Sequence, residues 1–437
     1  MRLIGLTVCV LAAVAVLSCE REEPAVKTDP DAPAVKAASA AIFLTGDELG
    51  EMKPCGCSGG QLGGLDRRRA VWNNVAPASR MLLDTGRLVA GDGEQDMIKL
   101  SLIVEAYTML GYDAVNLTAQ DIERLRNQGL MDSAAVGFKL ISAEAPPTVA
   151  LDRSFHKVLQ VDGKPVPVTV AAFNTMRQGA EEIGALFPDG ITDGGIEILL
   201  IDRCDSGVLN EIRGQWPGLD CIVCRSDIDE PQVLAQQRPL AISLGHFGRY
   251  VSRLDLENTP TGPRLRYAKV AIREELPQDK HQVELYRTYQ LLVKQADLLE
   301  RAPRMPEPHG LKFLGSKACE PCHKYSYGLW SKKPHANAMA SLVKVGSQYD
   351  PECVVCHVVG MKYEGGYVNE EQTPQLNHVG CESCHGPGSA HVSDPSSVKT
   401  VGDATAVCKT CHTPEKSTGY AGHEAEYMQK IVHWPEP

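Results

Sequence analysis

The hydrophobic rhythm of the chain changes part-way along. From residue 40 to about 275, short runs that are apolar at nearly every position alternate with stretches apolar every third or fourth residue. AAIFLTG (40–46) and RMLLDTG (80–86) read as strands buried on both faces, because their middles carry no polar residue. IKLSLIVEAYTMLG (98–111) has helical spacing, with a glycine placed to end the helix. YDAVNLT and GFKLISAE continue the series, and HKVLQVDGKPVPVTVAAF alternates around an Asp-Gly pair, which predicts a hairpin. IEILLID (196–202), the helical VLNEIRGQW, LDCIVC (219–224) and the strands LAISLG and YVSRLDLE complete it. Strand-helix alternation of this kind predicts an α/β sandwich with largely parallel central strands. A further helix is expected within 274–301, after which RAPRMPEPHG breaks the chain with three prolines and a glycine.

Beyond that break the apolar periodicity fades and a different pattern takes over. Cys-x-x-Cys-His occurs four times: Cys319, Cys322 and His323; Cys353, Cys356 and His357; Cys381, Cys384 and His385; Cys408, Cys411 and His412. Each reads as a haem c attachment site. Two thiols must reach the two vinyl groups of one porphyrin, and the adjacent His must ligate the iron. One such pair could hold zinc or cycle as a dithiol. Four copies, each followed by His, favour four haems c over zinc ribbons. A segment of about 120 residues cannot bury much apolar side chain, so the porphyrins are expected to form its core. Tyr325, Tyr327, Trp330 and Trp434 are expected on ring faces. Each iron also needs a second ligand or an open face, and His309, His335, His378, His391, His423 and His433 remain available.

Length and charge narrow the picture. A chain of 437 residues suggests two domains. A net charge of -11 gives no reason to expect nucleic acid as a partner. The opening MRLIGLTVCVLAAVAVLSC has one basic residue and an apolar run too short to span a membrane, as in a secretory signal over 1–18. V-L-S-C resembles a bacterial lipobox, which implies cleavage before Cys19 and lipidation of that cysteine; the alternative is an ordinary signal with an incidental cysteine. A polar, Pro- and Ala-rich tether over 19–39 follows. Export agrees with the haem motifs, since bacterial haem c attachment takes place outside the cytoplasm. Glu20, in place of the Asp linked to inner-membrane retention, points weakly to the outer membrane. The expected layout is then an α/β domain over 40–275, a helix and Pro-rich linker over 276–310, and a haem domain over 311–437.

Of 15 cysteines, Cys55, Cys57, Cys204, Cys221 and Cys224 belong neither to the motifs nor to the leader. Two disulfides plus a spare thiol is one reading; a thiolate site for one additional soft metal is the other. CIVCR lacks the histidine that a fifth haem would need.

Two resemblances add to this. GGLDRR (63–68), LLDTG, MLGYDAVNLT, ISAEAP, GGIEILLID, GLDCIVCRSD and LGHFGRYVSRLDLE, in that order, resemble the metallophosphoesterase domain of periplasmic 5'-nucleotidases. The resemblance implies two β-sheets flanked by helices, a four-layer sandwich, with a metal site at strand C-termini. Two-metal hydrolysis needs Asp, Asn and His ligands. Where the family has Asp-x-His this chain has Asp47-Glu48-Leu49; where it has Gly-Asp, Gly86-Arg87; where it has Gly-Asn-His-Glu, Thr118-Ala119-Gln120-Asp121. The strand-end His falls near Arg203, and Gly-His-x-His at Cys224-Arg225-Ser226-Asp227. Arginine carries a fixed positive charge that repels a divalent ion. The scaffold is expected without the chemistry.

ACEPCHKYSYGLWSKKPHANAM, VGCESCHGPGSAHV and EYMQKIVHW resemble mainly α, haem-cored tetrahaem cytochromes of the cytochrome c-554 type, electron carriers serving hydroxylamine oxidoreductase in nitrifying bacteria. That resemblance implies His391 as the second ligand opposite His323, His433 opposite His385, and His335 opposite His412. It leaves His357 five-coordinate unless His378 closes that site. Two imidazoles per iron imply low-spin centres at modest negative potentials. The expected protein is an exported lipoprotein that transfers electrons to or from other periplasmic or membrane redox proteins. A redox enzyme of nitrogen-compound chemistry at an open His357 haem is the first alternative, and a phosphoesterase with a fused cytochrome the second.

Overall fold

The structure, a computed structural model, describes residues 39–54, 59–132, 136–187, 190–191, 194–260, 262–401 and 404–434. Two six-stranded sheets lie face to face. The first has the order β12-β11-β1-β2-β3-β4, built from β1 (Ala40–Thr45), β2 (Arg80–Asp84), β3 (Ala114–Asn116), β4 (Lys139–Ile141), β11 (Tyr250–Thr259) and β12 (Gly262–Ala271). The second has the order β5-β6-β7-β8-β10-β9, from β5 (Ser154–Val161), β6 (Lys164–Phe173), β7 (Ile196–Ile201), β8 (Cys221–Cys224), β9 (Gln232–Ala235) and β10 (Leu240–Ser243). The strands β1 to β4 pair in parallel, as do β6, β7, β8 and β10. Antiparallel strands flank each parallel set.

The uninterrupted apolar runs follow from burial on both faces. In β7, Ile196, Ile198 and Leu200 enter the core between the sheets, while Leu199 and Ile201 pack outward. Those outward residues meet α4 (Ser206–Gln215) through Leu209 and Ile212. Over the first sheet lie α1 (Leu65–Trp72), α2 (Glu94–Leu110) and α3 (Ala119–Asn127). The result is the expected four-layer α/β sandwich. Local signals explain the joints. The hairpin between β5 and β6 turns on Asp162 and Gly163, with φ of 52° and 76°, the left-handed pair that a two-residue turn of this twist requires. Gly111 ends α2 at φ 80°.

The helix read from sequence as part of a connector is α5 (Lys280–Gln295). It does not bridge open space. Leu285, Tyr289 and Val293 pack into the same core as α2, and Gln282 Nε2 donates to the Ala106 carbonyl at 3.3 Å. The described residues accordingly fall in one compact unit.

After residue 310 the regular elements shorten. They are α6 (Lys324–Trp330), α7 (Ala338–Val345), α8 (Pro351–Val354), α9 (Cys381–His385), α10 (Ser389–Ser393), α11 (Thr405–Cys408) and α12 (Glu424–Ile431). One small apolar cluster, centred on Met339, Leu342, Val354, Val359 and Tyr367, ties them to Leu299 behind α5. No helix among the described residues is long and apolar enough to cross a membrane.

Candidate haem site

Each Cys-x-x-Cys-His motif forms about one helical turn. His323 N donates to Cys319 O at 2.9 Å and His412 N to Cys408 O at 2.8 Å. Residues three and four apart share a helix face, so the turn presents two thiols and one imidazole on the same side. The thiols of Cys319 and Cys381 are hydrogen-bond neighbours, as are those of Cys356 and Cys411. Motifs one and three therefore lie side by side, and so do motifs two and four.

The motif histidines meet histidines from distant stretches. The ring centroids of His323 and His391 are 6.2 Å apart with planes at 27°. Those of His335 and His412 are 6.3 Å apart, and those of His385 and His433 are 6.2 Å apart. A ligating imidazole nitrogen sits about 2 Å from its metal, with the ring centre about 1 Å further, so two rings on opposite sides of one metal have centres about 6 Å apart. Van der Waals stacking would bring the rings closer. The separations fit one iron between each pair.

Hydrogen bonds orient the rings. Nδ1 of His391 donates to Val398 O at 2.7 Å, Nδ1 of His385 to Val401 O at 2.7 Å, and Nδ1 of His357 to Ala338 O at 2.8 Å. Nδ1 of His433 donates to Ile431 O at 3.0 Å. A proton fixed on Nδ1 leaves the Nε2 lone pair for a metal. Burial pushes the His335, His357 and His412 imidazoles below their ordinary pKa, towards the neutral form that ligates. His378 is engaged elsewhere, since its Nδ1 accepts the Met339 N–H at 3.2 Å. In that tautomer Nε2 carries the proton and offers no lone pair. Two cavities run between these groups. One of about 550 Å³ is walled by His323, His385, His391 and His433. The other, about 780 Å³, is walled by His335, His357 and His412; among the described residues its wall does not include His378. Thiol pairs, oriented imidazoles and largely apolar walls fit haem c as the group held here.

The strand ends of the α/β half have a different chemistry. Arg87 Nη1 lies 2.8 Å from Asp227 and 3.4 Å from Asp47. Arg225 pairs with Glu144, and Arg68 with Glu48, both hydrogen-bonded. Asp121 accepts from the backbone N–H groups of Arg87 at 2.8 Å and Leu88 at 3.0 Å. Guanidinium groups and backbone donors thus satisfy most of these carboxylates. Burial pushes the Asp47 carboxyl up to about 7, against the pull of Arg87 and Arg225. Among the described residues no group of three or more His, Cys, Asp or Glu is placed to hold a metal ion.

The leftover cysteines correct one expectation. Cys204 and Cys224 form a disulfide, which removes both from the soft-metal thiolate site. Cys221 cannot join them. In β8 it points into the core between the sheets, whereas Cys224 faces α4, because residues three apart on a strand lie on opposite faces. Cys55 and Cys57, like Cys19, lie outside the described residues. Sequence reasoning missed Lys99, Asp350 and Glu352, which surround the second motif; Asp350-Pro351 ahead of CVVCH is a helix N-cap signature that could have flagged it.

Residues 318–386 match the family model described as "Cytochrome c554 and c-prime". This segment is of the cytochrome c-554 type. Cytochrome c-554 of Nitrosomonas europaea is 34% identical over 149 residues, an alignment spanning 26% of this chain and 63% of that protein. The chain thus covers less than two thirds of that relative. The family implies haem c in the C-terminal region. Among solved structures, the sulfate thiohydrolase SoxB of Thermus thermophilus aligns at 13% identity with a TM-score of 0.44, over 60% of this chain and 62% of that one. A putative 5'-nucleotidase of Staphylococcus aureus aligns at 14% identity with a TM-score of 0.44, over 70% and 66%.

Proposed function

We propose that this protein is an exported multihaem cytochrome c that passes electrons through four closely packed haems. The observation that carries the reading is the set of three imidazole pairs at 6.2–6.3 Å, each joining a motif histidine to a histidine elsewhere in the chain. In this reading Cys319 and Cys322, Cys353 and Cys356, Cys381 and Cys384, and Cys408 and Cys411 each bind one ring. His323, His357, His385 and His412 ligate from the motif side, with His391, His433 and His335 opposite the first, third and fourth. Bound haem supplies reversible one-electron chemistry at iron. The chain's part is to hold the imidazoles rigid and exclude water, so that little rearranges on reduction. Side-by-side motifs support transfer between neighbours. Cys19 anchors the protein to a membrane by lipid, and its partners are other periplasmic or membrane redox proteins.

Electron paramagnetic resonance of the oxidised holoprotein tests this. At least three low-spin, bis-imidazole irons are expected. A spectrum without them contradicts the reading. The Met339–His378 bond keeps a second reading in view, a redox enzyme of nitrogen-compound chemistry at the His357 iron. A high-spin component that shifts on adding nitric oxide would favour it.

A further inference from the structure

The α/β sandwich reaches into the second motif. Asp350, 3% exposed, belongs to the haem-bearing segment, yet its carboxylate is satisfied largely by the other half. Gln95 Nε2 on α2 donates to it at 2.9 Å, and Tyr289 OH and Gln290 Nε2 on α5 donate at 3.0 and 3.3 Å. The same carboxylate caps α8 by accepting the Glu352 N–H at 3.0 Å. The helix that carries Cys353 is therefore clamped by donors from α2 and α5.

One further contact carries charge. Lys99 on α2, 7% exposed, places Nζ 2.7 Å from both carboxylate oxygens of Glu352. Glu352 directly precedes Cys353 and shares with it, Cys356 and His357 the wall of the larger cavity. A carboxylate beside an iron porphyrin favours the ferric state and lowers its potential, and an ammonium group on that carboxylate cancels the effect. Lys99 is buried and the Glu352 side chain is 50% exposed, so both effects are partly screened by solvent. Asp350 fixes the helix, so the pair sits at a fixed place relative to the ring.

We propose that Lys99 and Glu352, one from each half of the chain, form a charge pair that sets the potential of the haem held by Cys353 and Cys356. Lys99 is a positioning residue that acts through Glu352. The α/β half is thereby part of the redox machinery and not only a carrier for it. The inference rests on the haem reading above.

Potentiometric titration of the full-length holoprotein tests it. Glu352→Gln leaves the ammonium unbalanced, and one component of the titration should move to higher potential, further than the other three. The double variant Lys99→Gln/Glu352→Gln restores neutrality and should return that component to its wild-type position. Glu352→Asp, which keeps the charge, should stay near wild type. No shift in Glu352→Gln, or a shift that persists in the double variant, overturns the proposal. Haem content is measured on the same samples; fewer than four haems in the wild type would overturn the haem reading instead.

Discussion

The two halves of this protein solve the problem of an interior in opposite ways. The α/β half fills its own. Phe43, Leu82, Ile198, Leu200 and Trp72 are almost wholly buried, and each such side chain contributes about 1.5–3 kcal/mol on leaving water. The C-terminal half has one small apolar cluster and otherwise arranges thiols and imidazoles around cavities of about 550 and 780 Å³. Its secondary structure is correspondingly broken into short turns. The difference teaches that a strand pattern announces a core made of side chains, whereas repeated Cys-x-x-Cys-His announces a core that the chain must acquire.

The sharpest way to break this contrast is to withhold haem. Chain produced without haem attachment should lose hydrogen-exchange protection throughout 311–434 while β1, β2, β7 and β8 stay protected. Equal protection in both halves would mean that the C-terminal part has a sufficient core of its own. The converse perturbation is Ile198→Ala between the sheets. It should cost about 2–5 kcal/mol of unfolding free energy, measured by denaturant titration, and leave the haem absorption bands in place.

Acidity separates the halves more gently. The Asp47 carboxyl has an ordinary value of 3.8 and is held at about 7 in the fold. The native state therefore keeps a proton that the unfolded chain has lost, and stability falls as pH rises from about 4 to 7. At about 1.4 kcal/mol per unit the fall is at most about 4 kcal/mol. Asp47→Asn removes it, so that variant should gain on wild type across this window and keep its lead above it. Smallest of all, Arg287→Ala on α5 breaks the exposed pair with Glu284, 3.0 Å apart. It should change stability by less than about 0.5 kcal/mol.

Much of this was legible in the chain. Apolar runs bounded by glycine located β1, β2, β7 and β8, and Asp162-Gly163 located the hairpin. The four motifs were plain from spacing alone. The pairing of their histidines was not, because His335, His391 and His433 lie far from their partners in sequence and no local rule connects them; only the family resemblance suggested it. Disulfide connectivity is likewise hidden in a linear sequence, although strand alternation already separates Cys221 from Cys224. The packing of α5 was obscured by the prolines after it, which suggested a linker. Contacts such as Lys99 to Glu352 depend on how two halves dock, and composition carries no trace of that.

The central claim is that covalently bound haems supply the interior of the C-terminal half. Intact-mass measurement of the denatured holoprotein tests it most directly, since thioether bonds survive unfolding. The account predicts a polypeptide carrying four haem increments. A chain whose mass shows none, or whose haem is released on denaturation, would contradict it.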